Sequence, residues 1–281
     1  MLIFGFGHGG SHGGSHGGSH GGSHGGSLSG LGPGAGTVVP ATDTLFGTEP
    51  DQIVSAKIYD DADIHPDLWA LAQIARVFRA IDPADRALEV AVGNWGPPSD
   101  EDFKEMLEPR EVNLQYFLSE ITDQSVVFDH YFYNLLSINP RSHPCTARLI
   151  ALSIAVAGMV GMYYKLELHR PRPAQVLPGL FPFLPTPSHP SYPSNHATQS
   201  RTVSKLLSDA VAGTAAAVYQ NALAALATRI GVNRERAGLH YASDTAAGNR
   251  LGDALADKLG ALDFVRLLMD GCAIELSSNL R

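Results

Sequence analysis

The sequence predicts an all-α protein, a single-domain helical bundle preceded by a low-complexity tail. Three observations support this fold class. Apolar residues recur at helical spacing from about Asp51 onward. No segment shows the alternation of apolar and polar residues that is typical of a half-buried strand. The preceding residues are dominated by glycine up to Gly36. We therefore divide the chain into a flexible tail or linker (residues 1–50) and one globular domain (residues 51–281).

The tail repeats one tetrapeptide. From His8 to Ser27 the sequence His-Gly-Gly-Ser occurs five times. Such a segment has almost no apolar surface to bury, so we expect a disordered coil. A transition-metal site and a linker or tag are the other interpretations that the repeat leaves open. The histidines concerned are His8, His12, His16, His20 and His24.

Helices are predicted along the whole domain. Pro66 suits the first turn of a helix, and the segment Ser99–Asp102 caps a helix that ends at Leu107. A proline-rich loop, residues 173–193, carries Phe181 and Phe183, which we expect to roof a pocket. The other predicted helices cover residues 66–81, 111–121, 124–138, 146–167, 197–212, 214–230, 240–259 and 262–276.

The segment from Thr146 to Glu167 is the most apolar part of the chain. Between Arg148 and Lys165 it has sixteen uncharged residues, 149–164, fewer than the roughly 20 of a membrane span. We therefore predict a buried core helix and no integral membrane span. The opening segment Met1–Phe6 lacks the basic residues of a signal peptide. These observations predict a soluble, cytoplasmic protein, with a periplasmic or secreted location left open if a leader was removed.

The charge balance excludes one class of partner. The formal net charge is −8, so we expect the protein to repel nucleic acid. Any cations that bind a phosphate must then be concentrated locally. Cys145 and Cys272 are too few for a disulfide framework or a metal motif, although they leave a single bridge open. The sequence also leaves a homodimer open.

Three short segments together supply the cations, histidines and aspartate of a candidate site. They are Lys165–Pro173, Pro193–His196 and Arg234–Asp244. Arginine and lysine donors match the oxygens of a phosphate ester, and phosphoryl transfer depends mainly on positioning and electrostatics. Two histidines allow one to act as the nucleophile and the other as the general acid. The three segments therefore predict a site that holds a tetrahedral oxyanion and attacks it.

Spacing divides the roles among these residues. Asp244 follows His240 by four positions, so on a helix it would hold one ring N–H and leave the other nitrogen free to attack. Lys165 and Arg172 are seven positions apart and would share a face, whereas Arg170 would face roughly the other side and is the weaker candidate. A distortion of the helix at Pro171 would change this geometry, so Arg170 stays open as an alternative.

The other two segments offer a third cation and a helix N-terminus. Helical geometry favours Arg236 as the partner of His240, but a break at Gly238 would favour Arg234, and this choice stays open. Ser194 and Asn195 precede a helix whose first N–H groups favour anions.

At these residues the chain resembles a superfamily of type 2 phosphatidic acid phosphatases, bacterial acid phosphatases and vanadium-dependent haloperoxidases. The family pattern is K-x(6)-R-P, P-S-G-H and S-R-x(5)-H-x(3)-D, and all three spacings fit. Two positions depart from it: Asn195 stands where the family has glycine, and Asn233 stands where it has serine. Since we predict no membrane span, the resemblance is to the soluble branch.

The resemblance implies a role for each residue. His240 is the nucleophile or vanadate ligand, His196 is the general acid, and Asp244 orients His240. The oxyanion is bound by Lys165, Arg172, Ser194, Asn195 and Arg234, which selects Arg234 over Arg236. The active site then lies between helices of the bundle.

Two activities fit this site. The favoured one is metal-independent hydrolysis of a small phosphorylated substrate through a phosphohistidine, as in acid phosphatases, with no cofactor. The alternative is a haloperoxidase in which vanadate, bound through His240, oxidises halide with hydrogen peroxide. A non-catalytic phosphate-binding module would not need the pair His240 and Asp244. Aromatic residues Phe181, Phe183 and Tyr192 predict an apolar approach to the pocket.

Overall fold

A computed structural model describes residues 64–177 and 179–280. The tail predicted for residues 1–50, with its histidines, lies outside the described residues. Within them the fold is all-α, as predicted, and no strand occurs in these two ranges. The helices are α1 (Pro66–Val77), α2 (Arg86–Val92), α3 (Asp100–Val126), α4 (Asp129–Leu136), α5 (Pro144–Leu168), α6 (Pro173–Val176), α7 (Asn195–Val211), α8 (Gln220–Arg236), α9 (Ala242–Gly260) and α10 (Asp263–Ser278), with a 3-10 helix at Ala215–Tyr219 between α7 and α8.

The predicted helix boundaries differ from the observed ones mainly before α5. Helices predicted for 102–107 and 111–121 form one continuous α3, which begins at the predicted cap: Ser99 and Asp102 exchange hydrogen bonds in a capping box. The helix predicted for 124–138 is instead interrupted after Val126, and α4 starts at Asp129. Helix α2 was not predicted, although the Asp85 carboxylate accepts a hydrogen bond from the Ala87 N–H and caps it.

Helix α7 is the central element of the bundle. It packs against α5, α8, α9 and α10. Helix α9 lies very close to it, because a Cβ atom on Gly248 would be 2.6 Å from the Ser194 carbonyl oxygen, and one on Gly252 would be 2.8 Å from that of Thr198. Glycine at these two positions therefore brings the start of α9 against the start of α7. The backbone hydrogen bond from Ser194 N to Asp244 O, at 3.0 Å, joins the same two helix ends.

The prediction that the chain has no segment of membrane-spanning length is wrong. The segment Pro144–Val176 is long and apolar enough to cross a membrane, and 67% of its most apolar stretch is buried inside the protein. The prediction counted only the residues between Arg148 and Lys165, but α5 contains both cations. Its 25 residues extend about 37 Å at 1.5 Å per residue, more than the roughly 30 Å hydrocarbon core of a bilayer. The prediction of a soluble protein depended on the same count, and its cytoplasmic location on the missing signal peptide. The apolar segment Pro144–Val176 points instead toward membrane association, so this prediction is wrong as well.

Candidate active site

The fold brings all three predicted site segments together at one end of the bundle. Lys165 lies in the last turn of α5, and Arg172 immediately precedes α6. Ser194 is the N-cap of α7, and Asn195 and His196 are its first two residues. Arg234 lies in the last turn of α8, His240 in the connection to α9, and Asp244 in the first turn of α9. Every one of these residues is at most 5% exposed.

His240 and Asp244 form the pair that the spacing predicted, but not on one helix. Helix α9 begins only at Ala242, so His240 precedes it, and the Asp244 carboxylate reaches back across the first turn. Asp244 Oδ2 lies 3.0 Å from His240 Nδ1 and 3.1 Å from the Tyr241 backbone N–H. A carboxylate accepts, so Nδ1 carries the proton.

The other nitrogen of His240 has the opposite character. Its Nε2 lies 3.0 Å from Arg172 Nη1, and a guanidinium only donates. Nε2 therefore holds a lone pair, which is the tautomer that a nucleophilic histidine needs. Burial, and then the charges of Arg172 and Lys165, lower the pKa of His240 well below 6.5 and keep the ring neutral.

Backbone carbonyls of two loops hold the donors of Lys165 and Arg172. Lys165 Nζ donates to Pro190 O at 2.9 Å and to Ser191 O at 2.7 Å. Arg172 Nε donates to His189 O at 3.0 Å, and its Nη1 donates to Leu239 O at 2.9 Å. An anion at the site would therefore compete with carbonyl oxygens for both cations.

Arg234 has donors left over. Its Nη2 donates to Ile121 O of α3 at 2.8 Å, but the buried Nε and Nη1 have no partner among the described residues, and neither does the buried Ser194 Oγ. Buried donors are normally satisfied, so such atoms require an explanation. A bound oxyanion supplies the acceptors that are missing. Burial lowers the pKa of Arg234 to about 10, so the guanidinium stays charged at neutral pH.

His196 contacts the end of α3. Its Nε2 lies 3.0 Å from Gln124 O, so Nε2 carries a proton, because a carbonyl oxygen only accepts. Burial, and then the charge of Arg234, lower the pKa of His196 well below 6.5. The ring is therefore neutral, and a bound anion would favour its protonation.

The two departures from the family pattern point away from the pocket. The Asn195 side chain faces α5, with Nδ2 donating to Gly158 O at 3.3 Å and Oδ1 filling the space where a Cβ atom on Gly161 would lie. Its side chain therefore does not crowd the anion. Asn233 Nδ2 donates to Glu120 Oε1 and Gln124 Oε1, which ties α8 to α3.

The residues left as alternatives are also placed. Arg236 donates to Asn233 Oδ1 at 2.8 Å and stacks on the ring of Phe117 at 4.0 Å, so it is engaged outside the site. Arg170 contacts Asp244, which the predicted helical face did not indicate, because α5 ends at Leu168 and His169 turns the chain with a left-handed φ of 50°.

The predicted aromatic roof is not observed. Phe181 and Phe183 are 82% and 41% exposed. Tyr192 is buried, and its hydroxyl donates to Val92 O at 2.5 Å. Sequence analysis also missed Ser191, whose hydroxyl donates to Asp244 Oδ2, because it lies in a loop between two of the motifs.

The lowered pKa values of the buried histidines predict how the free energy of unfolding depends on pH. Burial, and then the charges of Lys165 and Arg172, lower the pKa of His189 from 6.5 to about 3. Above pH 6.5 the ring is neutral in the folded and unfolded states. Between pH 6.5 and the folded pKa only the unfolded chain binds the proton, so we expect the free energy of unfolding to fall with decreasing pH. Each such ring contributes a slope that approaches about 1.4 kcal/mol per pH unit, and His196 and His240 act in the same direction.

Urea unfolding between pH 7.5 and pH 5, in phosphate-free buffer, measures this slope. The variant His189→Asn should lose the part of the slope that the His189 ring contributes, because asparagine can still accept a hydrogen bond from Arg172 and does not titrate. An unchanged slope in the variant would contradict the lowered pKa of His189 in the folded protein.

Comparisons with known proteins give a family match over the part of the chain that contains these residues. Residues 146–256 match the family model described as PAP2 superfamily, and this range contains every predicted site residue. No curated protein matches the chain. One similar solved structure is that of "the first transmembrane PAP2 type phosphatidylglycerolphosphate phosphatase from Bacillus subtilis", with 16% identity and a TM-score of 0.43. The similarity covers 73% of this chain and 94% of that one. The family match supports phosphatase-type hydrolysis.

Proposed function

Because residues 146–256 place this chain in the PAP2 superfamily, we propose that it is a phosphomonoester hydrolase that acts through a phosphohistidine and needs no metal ion. The observation that supports this most strongly is the tautomer of His240. Its Nδ1 proton is bound by Asp244, and its Nε2 lone pair lies among cationic donors. A base with this orientation at an anion site suits attack on phosphorus.

In the first step of the proposed reaction, His240 Nε2 forms a bond to phosphorus and the bond to the ester oxygen breaks. The leaving oxygen takes a proton from His196. That proton is the second one on the ring, because Nε2–H already donates to Gln124 O. The ring takes up this second proton when the anion binds, since the negative charge of the phosphate offsets the burial and the Arg234 charge that otherwise keep the ring neutral.

In the second step water attacks phosphorus and His196 accepts its proton. The nitrogen–phosphorus bond breaks and inorganic phosphate leaves. His240 then again has its proton on Nδ1 and a lone pair on Nε2. Asp244 stabilises the charge that His240 carries while its Nε2 is bonded to phosphorus.

Cationic side chains supply the charge compensation. Arg234 offers its two unpartnered donors, and Ser194 offers its hydroxyl. Arg172 and Lys165 exchange carbonyl oxygens for phosphate oxygens, and the Asn195 N–H at the start of α7 completes the set. Fixed donors of this kind are the main catalytic contribution in phosphoryl transfer.

An activity assay tests the proposal. The full chain, treated with EDTA, should hydrolyse p-nitrophenyl phosphate at the same rate as untreated protein, and orthovanadate should inhibit it. A parallel assay with vanadate, peroxide and bromide should give no more bromination than a reaction without protein. Bromination without phosphate release would show haloperoxidase chemistry and contradict the proposal, and loss of hydrolysis on chelation would contradict metal independence.

A further inference from the structure

Arg170 has no role in the proposed reaction, yet its guanidinium is buried beside the nucleophile's partner. It is 2% exposed and lies between two carboxylates, Asp244 and Asp102. We propose that Arg170 is a positioning residue that holds the Asp244 carboxylate in the orientation His240 needs. This inference rests on the proposed function for its effect on turnover.

Arg170 controls one of the two oxygens of Asp244. Asp244 Oδ2 accepts from His240 Nδ1, from the Tyr241 N–H and from the Ser191 hydroxyl. Oδ1 accepts from Arg170 Nη1 at 2.7 Å, and within the described ranges this is its only hydrogen bond. Without Arg170 one oxygen of a fully buried carboxylate loses its donor, and rotation of the group toward other donors would weaken its bond to His240.

Arg170 is itself held from three sides. Its guanidinium stacks on the Tyr241 ring at 4.1 Å from the centroid. Its Nη1 donates to Ser243 Oγ at 2.8 Å, and Ser243 donates in turn to Asp102 Oδ1 at 2.6 Å. Its backbone oxygen accepts from Ser191 N at 2.8 Å. These contacts leave the guanidinium little freedom, which is what a positioning group requires.

Asp102 connects this network to α3. Burial alone would raise the pKa of Asp102, but hydrogen bonds from Ser243 and Ser99 and the charge of Arg170 lower it overall. The carboxylate is therefore ionised at neutral pH and balances Arg170 on the side away from Asp244. The capping residue of α3 thus also supports the catalytic pair.

Two observations argue against the other roles for Arg170. Its Nη1 and Nη2 donate to two carboxylates, Asp244 and Asp102, which balance its charge. The donors of Arg172 meet uncharged groups instead, so Arg170 is less suited than Arg172 to hold an anion. Nor does it look like a purely structural arginine, since its buried Nε has no partner among the described residues, and an unpaired buried donor lowers stability.

Kinetics of Arg170→Met test the proposal. We expect kcat for p-nitrophenyl phosphate to fall about 10- to 100-fold, as when a group that orients a catalytic ligand is removed, with KM changed less than about threefold. Arg170→Lys should recover part of the loss, because an ammonium can donate to Oδ1. The matched control is Arg201→Met, which removes an Arg–Asp pair between α7 and α9, Arg201 with Asp253 at 2.7 Å, and should leave kcat unchanged.

A second measurement does not need turnover. In phosphate-free protein the Nδ1–H of His240 should give a downfield proton resonance, assigned by its absence in His240→Gln. Arg170→Met should shift or broaden it, and Arg201→Met should not. If the wild type fails to hydrolyse phosphomonoesters, the proposed function fails, while this resonance still decides the role of Arg170.

Two results would overturn the inference. One is a wild-type kcat with an unshifted resonance in Arg170→Met, and the other is a rise in KM as large as the fall in kcat, which would make Arg170 an anion ligand. If Arg170→Met does not fold, Asp102→Asn tests the proposal instead. It removes the carboxylate that pairs with Arg170 on the side away from Asp244. It should lower kcat about three- to tenfold at constant KM, and wild-type kcat with an unshifted resonance would contradict the proposal.

Discussion

Replacement of His240 by alanine is expected to abolish hydrolysis of p-nitrophenyl phosphate, with a loss in kcat of at least about 10⁴-fold. The expected loss is this large because the side chain forms the covalent bond, and neither His196 nor a water molecule has its combination of an Nδ1 proton bound by Asp244 and a lone pair on Nε2. Asp244 would keep the donors from Arg170, Ser191 and Tyr241, so the protein should still fold.

The matched control is His143→Ala. His143 is also buried, and it pairs with Asn279 Oδ1 at 2.9 Å, outside the active site. This variant should lose stability but keep kcat. Turnover of His240→Ala within tenfold of the wild type, in protein with a normal circular dichroism spectrum, would remove His240 from the mechanism.

Replacement of Arg234 by methionine should separate stability from activity. We expect kcat/KM to fall about 10²- to 10³-fold, the usual cost of removing a donor at a developing oxyanion. Without ligand, the free energy of unfolding should stay equal or rise, because methionine is similar in volume and removes a buried charge that makes one hydrogen bond, to Ile121 O. Thermal melts with and without phosphate measure this, and the stabilisation by phosphate should shrink.

Arg236→Met is the control for this prediction. Arg236 lies two residues away on α8, but it stacks on Phe117 and binds Asn233. Its kcat/KM should stay within about threefold of the wild type, since a group outside the site makes no contact with the transition state. A larger effect in Arg236→Met than in Arg234→Met would reverse the assignment of the anion-binding arginine.

Much of this site could be predicted from local sequence. The spacing of Lys165 and Arg172, and of His240 and Asp244, predicts the members of the site, because each pair is separated by only a few residues. The reasoning from spacing failed where a helix ended early. The shared faces predicted for both pairs hold only on a continuous helix, whereas α5 ends at Leu168 and α9 begins at Ala242.

The remaining features depend on contacts between distant segments. Nothing local in the sequence indicates that the carbonyls of Ile121 and Gln124 contact Arg234 and His196, since 113 and 72 residues separate the partners. The roles of Ser191 and Arg170 depend in the same way on the approach of α9 to α7, which Gly248 and Gly252 permit. The span prediction failed because it counted only the uncharged stretch between Arg148 and Lys165. The helix itself continues past both residues.

The central claim is that His240 Nε2 becomes covalently bonded to phosphorus. The wild type is mixed with ³²P-labelled substrate, the reaction is stopped rapidly by alkaline denaturation, and the labelled peptide is mapped. Acid is avoided throughout, because phosphohistidine survives alkali and is lost in acid. The proposal predicts label on the peptide that contains His240 and none in His240→Ala. A wild-type enzyme that turns over substrate while its label stays absent from His240 under these conditions would contradict the claim.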